Sequence, residues 1–323
     1  MYHSGIAGGG FMLVRAPNGS YEFIDFRETA PAAAFEEMFK NNTDASTSGG
    51  LEYLHKKYGS LPWSTIMQPA IQTARQGFPV GRDLVRYMNS AVGDGEDFLS
   101  KDPTWAIDFA PNGTRLGLGD TITRKRYADT LETIANNGPD AFYTGPIAET
   151  MIQALQAANG TMTLEDLRNY TIAIRDTSQI DYRGYRVIGT SAPSSGTVAL
   201  NILKVLDTYD SFMVPDNVNL STHRLDEAIR FGYGLNIIHA VDEGLSAAEA
   251  LARPRLHDQL IPNQVRFEYT YNNETVAFMK SLGHNVTWVA PGDSTAQAIR
   301  VLPNGTFDAA GEPRQLDSGG FAV

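Results

Sequence analysis

The chain has 323 residues, a formal charge of −11, 42% hydrophobic and 20% charged residues, and no cysteine. That composition belongs to a globular chain long enough for one or two cores. It excludes thiol catalysis, disulfides and thiolate metal sites, and its acidic balance argues against binding nucleic acid or an anionic membrane.

The first residues lack the charged and then apolar pattern of a signal peptide. No apolar run approaches the ~18 residues that cross a bilayer. "GIAGGG", residues 5–10, is rich in glycine but carries neither a P-loop Lys-Ser/Thr nor dinucleotide-fingerprint spacing, and reads as a tight turn feeding a strand. "FMLVRAPNGSYEFIDF" predicts two strands joined at Asn18-Gly19. "LPWSTIMQPAIQTARQGF" predicts a helix with Ile66, Met67, Ala70, Ile71 and Ala74 on its apolar face and Gly77 as its stop. The short basic run Arg124-Lys125-Arg126 is a solvated patch. "PDAFYTGPIAETMIQALQAANG" predicts one helix stopped by Asn159-Gly160, and Thr163 with Asp166 predicts a capping box. "YRGYRVIGT" predicts a strand, and "SSGTVALNILKVLDTY" a helix capped by Ser194 or Ser195. "THRLDEAIRFGYGLNIIHAVDEGL" reads as one long helical pattern, with Thr222 as its cap rather than a nucleophile. "SLGHNVTWVA" supplies a late strand, and "AQAIRVLPNGTFDAA" a hairpin around Asn304-Gly305. Strands cluster at the two ends and helices fill the middle, which predicts a layered α+β or αββα domain rather than a doubly wound sheet.

Few local patterns carry chemistry. In "DFRETAP", residues 25–31, Arg27 ends an apolar strand between Asp25 and Glu28. A guanidinium there suits a carboxylate; spacing favours an internal ion pair over a ligand clamp and leaves both open. The six histidines form no His-x-His or His-x-x-x-His pair, so neither a metal nor a cofactor is expected. There is no Gly-x-Ser-x-Gly nucleophile elbow. Nine Asn-x-Ser/Thr sequons, at Asn18, Asn41, Asn112, Asn159, Asn169, Asn219, Asn273, Asn285 and Asn304, suggest descent from a secretory glycoprotein.

Several long stretches together are similar to the gamma-glutamyltranspeptidase (glutathione hydrolase) family. They are "MYHSGIAGGGFMLVRAPNGSYEFIDFRETAPAAAFEEMF", "LEYLHKKYGSLPWSTIMQPAIQTARQGFPV", "GPDAFYTGPIAETMIQALQAANGTMTLEDLRNYT", "YRGYRVIGTSAPSSGTVALNILKVLD", "HRLDEAIRFGYG", "DEGLSAAEALARPRLHDQLIPNQVRFE" and "GHNVTWVAPGDSTAQAIRV". The resemblance implies an incomplete Ntn-hydrolase αββα sandwich over 1–323, with 1–234 large-subunit-like and 235–323 like the end of the small subunit. It implies a small-molecule substrate, the γ-glutamyl amide of glutathione or a glutathione conjugate. The family's nucleophile is a threonine made N-terminal by self-cleavage, whose own amine serves as base. The arginine of the family's "FRETAP", which holds the glutamyl α-carboxylate, matches Arg27.

Three of the family's blocks have no match. Its leader or anchor with the first helix and strand would precede Met1. A short segment ending in "VPGE" is missing between Gly50 and Leu51. A long block is missing between Gly234 and Leu235, and it holds the "TTH" nucleophile motif, the aspartate for the glutamyl amine, a Ser-Ser pair and the "GSPGG" oxyanion loop. No catalytic residue is therefore assigned. Little or no turnover is expected of this chain, and a non-catalytic binding protein or non-functional fragment is the rival to an active transferase.

Overall fold

The computed structural model describes residues 6, 8–35, 50–229, 241–258, 261–292, 294–302, 304–317 and 319–320. The Gly50/Leu51 junction lies at the start of a described stretch, whereas Gly234/Leu235 and "LNIIHA" lie outside the described residues. In chain order the elements are β1 (Phe11–Arg15), β2 (Tyr21–Asp25), α1 (Gly50–Tyr58), α2 (Trp63–Gln76), β3 (Phe78–Pro79), α3 (Arg82–Val92), α4 (Phe98–Lys101), α5 (Pro103–Phe109), β4 (Thr121–Ile122) and α6 (Lys125–Asn137). There follow α7 (Asp140–Tyr143), α8 (Pro146–Ala157), α9 (Leu164–Asn169), β5 (Ala173–Arg175), β6 (Thr177–Tyr182), β7 (Tyr185–Thr190), α10 (Gly196–Leu206) and α11 (Val218–Ile229). The last are α12 (Ala247–Ala252), β8 (Leu256–His257), β9 (Val265–Glu268), α13 (Asn273–Ser281), β10 (Val286–Val289), β11 (Ala298–Val301) and β12 (Phe307–Ala310). Their sheets run β1-β2-β5, β10-β9-β8, β11-β12, β3-β4 and β6-β7. The chain divides into two compact units, residues 1–14 with 24–174 and residues 15–23 with 175–323.

The first unit is mostly helical. Its described residues form several small cores: Ile71 and Ala74 of α2 against Ala128, Leu131 and Ala135 of α6; Val80, Met88, Leu99, Phe109 and Ile122; and Ala148, Ile152, Met162 and Leu167. Two predictions need correction here. Ile66 and Ala70 of α2 are exposed, so its buried stripe is narrower than the apolar pattern. The predicted helix through Pro139–Ala158 is two, because Gly145 adopts φ +74° and Pro146 begins α8 at a position where its missing N–H costs nothing. Thr163 and Asp166 form the expected reciprocal capping box.

The second unit is organised around one larger core, in which Tyr182, Ile202, Leu203, Leu206, Leu225, Phe267 and Met279 are almost wholly buried. Each such large apolar side chain contributes about 1.5–3 kcal/mol relative to exposure. The stretch read as one strand at "YRGYRVIGT" is a turn plus a strand. Arg183 and Gly184 both have positive φ, 51° and 80°, and join β6 to β7 as a tight antiparallel hairpin. β9, α13 and β10 make a parallel β-α-β unit, and β8 adds antiparallel to β9. The hairpin β11-β12 turns at Asn304-Gly305 as predicted, with Gly305 at φ +83°. Thr222 is not a cap: it lies inside α11, and its Oγ1 donates to Val218 O at 2.9 Å.

Candidate ligand site around Arg27

Within the first unit, the chain after β2 is fixed by its own polar groups. Phe26 N donates to Gly10 O at 3.0 Å, so residues 8–10 run beside residues 26–28. This explains the glycines better than a turn does. A Cβ on Gly9 would lie 2.6 Å from Glu28 Oε2 and 2.8 Å from Glu28 N, and one on Gly10 would lie 3.0 Å from the Phe26 ring. Close backbone approach is a use to which glycine is suited.

The carboxylates flanking Arg27 serve this backbone. Asp25 Oδ1 accepts from Arg27 N at 3.0 Å, and Glu28 Oε1 accepts from Gly9 N at 2.8 Å. The guanidinium is exposed, its carbon 5.9 Å from the Phe11 ring centroid, and it forms no ion pair among the described residues. The internal pair that spacing favoured is thus absent there, because nearby backbone N–H groups claim Asp25 and Glu28.

α9 braces the same segment. Asp166 Oδ1 accepts from Ala32 N at 2.8 Å, while its Oδ2 accepts from Thr163 N and Oγ1, both at 2.8 Å. The bond from the Ala32 backbone first, and then that from the Thr163 hydroxyl, hold the Asp166 carboxyl below the usual carboxylate range. Tyr170 OH donates to Arg27 O at 3.4 Å, and the Tyr143 ring stacks on Tyr170, 5.8 Å between centroids and 9° from parallel. Burial, reinforced by Asp25 and Glu28, pushes the Tyr170 phenol up, so it stays a neutral donor. The result is a solvent-facing guanidinium on a backbone held at both flanks. Such a fork binds a carboxylate in two-point fashion.

Sequence reasoning missed a different juxtaposition. In the second unit His223 and His284 come within hydrogen-bonding distance, Nδ1 to Nε2 at 3.0 Å. A search for paired histidines in the sequence could not find residues 61 apart; the available signal was His223 and Glu227 one helical turn apart.

The fold is that of an α+β chain that presents one exposed arginine on a braced segment. A family model described as Gamma-glutamyltranspeptidase matches residues 1–236 and 235–321. A glutathione hydrolase of Aspergillus flavus is 40% identical over 490 residues, covering 100% of this chain and 83% of that protein. The crystal structure of Helicobacter pylori gamma-glutamyltranspeptidase superposes with a TM-score of 0.63 at 29% identity, covering 71% of each chain. A cephalosporin acylase from Bacillus halodurans, 18% identical, shares the fold alone: its TM-score is 0.84, over 99% of this chain and 87% of its own. The chain belongs to the gamma-glutamyltranspeptidase family, and its fold is that of these Ntn-hydrolases. The A. flavus alignment is longer than the chain: 490 positions against 323 residues leave at least 167 without a counterpart, and since the whole chain aligns, these are internal.

Proposed function

We propose that this chain binds γ-glutamyl compounds, glutathione or its conjugates, through the Arg27 guanidinium and the ligand's α-carboxylate, and does not cleave them. The observation that carries this reading is the exposed guanidinium, without an ion pair among the described residues, mounted on a segment fixed by Gly9, Glu28, Asp25 and Asp166. Membership of the family supports the ligand class. Residues 1–234 are then large-subunit-like and 235–323 small-subunit-like. This division is supported by the family model's two matches, which meet at 235–236.

The lack of cleavage is argued from the internal gap. By the family resemblance, the block absent between Gly234 and Leu235 carries the nucleophilic threonine and the oxyanion amides. A single oxyanion donor is worth about 2.7–4 kcal/mol of transition-state stabilisation, and no remaining hydroxyl of this chain is assigned to replace the threonine. The sequons support a secretory setting: of the eight on described residues, seven asparagines are exposed, and Asn219 is half-buried. No helix among the described residues is long and apolar enough to cross a membrane.

The test is calorimetric titration with L-glutamate, glutathione and 4-aminobutyrate, which lacks the α-carboxylate. Wild type should bind the first two and not the third, and Arg27→Ala should bind none. Equal binding by wild type and Arg27→Ala would remove Arg27 from the site.

A further inference from the structure

In the second unit, α11 packs on α13. Leu225, Ala228 and Ile229 share the core with Val276 and Met279, and Thr275 Oγ1 donates to Asn219 Oδ1 at 2.8 Å. Gly283, at φ +94°, then reverses the chain, and His284 N bonds back to Met279 O at 3.3 Å. This turn delivers the His284 ring to α11, where His223 and Glu227 stand one turn apart on the same face. Glu227 Oε1 is 3.8 Å from His284 Nε2, the atom that His223 Nδ1 approaches to 3.0 Å. On the other edge of the ring, His284 Nδ1 lies 3.1 Å from Asp226 Oδ2. The side chains of Asp226 and His284 are 0% and 5% exposed, whereas that of Glu227 is 45% exposed.

We propose that His223 Nδ1, His284 Nε2 and a Glu227 carboxylate oxygen bind one divalent transition-metal ion of the zinc class, with Asp226 orienting His284 from behind. One candidate ligand atom from each of the three residues lies within 4.8 Å of the others. Zinc bonds of about 2.0–2.2 Å at tetrahedral angles place donor atoms roughly 3.3–3.5 Å apart. The observed 3.0 and 3.8 Å straddle that spacing, so these two pairs need shifts of a few tenths of an ångström, and the third pair, His223 with Glu227, closes from within 4.8 Å.

The donor set decides the class of ion. Two imidazoles and one carboxylate suit zinc and its neighbours, whereas calcium and magnesium prefer oxygen alone. Asp226 beside Nδ1 selects the His284 tautomer that carries its proton there, leaving the Nε2 lone pair for the metal, as carboxylates behind metal-bound histidines do. His223, which shares a proton with His284 in the metal-free form, must then carry its own on Nε2. Three protein ligands leave a further coordination position on the side where Glu227 meets solvent.

The test uses the full 323-residue chain, stripped with a chelator and titrated with Zn²⁺ alone or Co²⁺ alone, by calorimetry and by elemental analysis after dialysis. The expected result is one ion per chain, with visible Co²⁺ absorption of a four- or five-coordinate site. His223→Gln and Glu227→Gln should each weaken binding at least tenfold, and Asp226→Asn about 10–100-fold. Glu227→Gln alters an exposed side chain, so a folding defect in the more buried variants leaves the test intact. Wild type that takes up no ion would overturn the proposal and leave a plain imidazole–imidazole hydrogen bond. Uptake unchanged in both His223→Gln and Glu227→Gln would overturn it equally, placing the ion elsewhere.

Discussion

Glu312 is the residue whose loss should damage the second unit most. It is 1% exposed and receives four hydrogen bonds. Oε2 accepts from Arg255 Nη2 at 2.8 Å and Ala296 N at 2.7 Å, and Oε1 accepts from Arg314 N at 3.0 Å and Arg314 Nη1 at 3.1 Å. Glu312→Gln keeps the volume but not the acceptors: whichever way the amide is turned, its NH₂ faces two N–H donors. Arg314 would keep Glu268, at 2.7 and 2.5 Å, but Arg255, itself 6% exposed, would keep only neutral acceptors on Ser294 and Leu251 among the described residues. Stranding a buried charge costs about 3–5 kcal/mol. With a urea slope of about 1–3 kcal/mol per molar, the midpoint should fall by at least 1 M. Trp288, which packs against the core of this unit, reports it once Trp63 and Trp105 are replaced by Phe. The double change Arg255→Met with Glu312→Leu should be milder than Glu312→Leu alone, since it removes the Arg255 charge that the single change strands, while the Ala296 and Arg314 donors lose their acceptor in both. A loss under about 1 kcal/mol for Glu312→Gln would mean that Arg255 is not stranded.

Other outcomes follow from the same geometry. Burial raises the Glu312 pKa, but the Arg314 and Ala296 backbone amides and the two guanidinium groups outweigh it, and the net shift is downward. A carboxyl depressed on folding contributes stability above its unfolded pKa, about 4.3, and that contribution drains away as pH falls through the folded value; wild type should therefore lose stability below about pH 4 more steeply than Glu312→Gln. Gly9→Ala drives a methyl into Glu28 and should cost about 1–3 kcal/mol while weakening glutamate binding, measurable by thermal unfolding and calorimetry together. Expressed through a eukaryotic secretory route, the chain should carry N-glycans removable by glycosidase. Mass mapping should find the exposed Asn112 and Asn169 occupied and the half-buried Asn219, whose side chain is engaged by Thr275, empty.

Local chemistry in the sequence translated well where one turn or cap decides it. Asn18-Gly19, Asn304-Gly305 and the Thr163–Asp166 box all took the structures their residues dictate. It translated poorly where a neighbour in space overrides the pattern. The pattern through Pro139 hides the break at Gly145 and Pro146, and "YRGYRVIGT" hides the turn at Arg183-Gly184, because arginine seldom takes a positive φ. Type and position single out Arg27 in the sequence, but that it makes no ion pair among the described residues depends on Asp25 and Glu28 turning to the backbone, and Glu28 does so where Gly9 lies beside it. The His223–His284, Arg255–Glu312 and Glu268–Arg314 contacts join residues far apart in sequence, for which one sequence alone gives no spacing signal.

In the proposed function a γ-glutamyl site survives without its acyl-transfer machinery. Release of p-nitroaniline from γ-glutamyl-p-nitroanilide by the purified chain, expressed in a host lacking its own transpeptidase, measures this directly. The expected result is no release above a heat-treated control and a single uncut band on a denaturing gel. Release that is abolished by Arg27→Ala, with or without cleavage into two pieces, would contradict it and make the chain a working hydrolase.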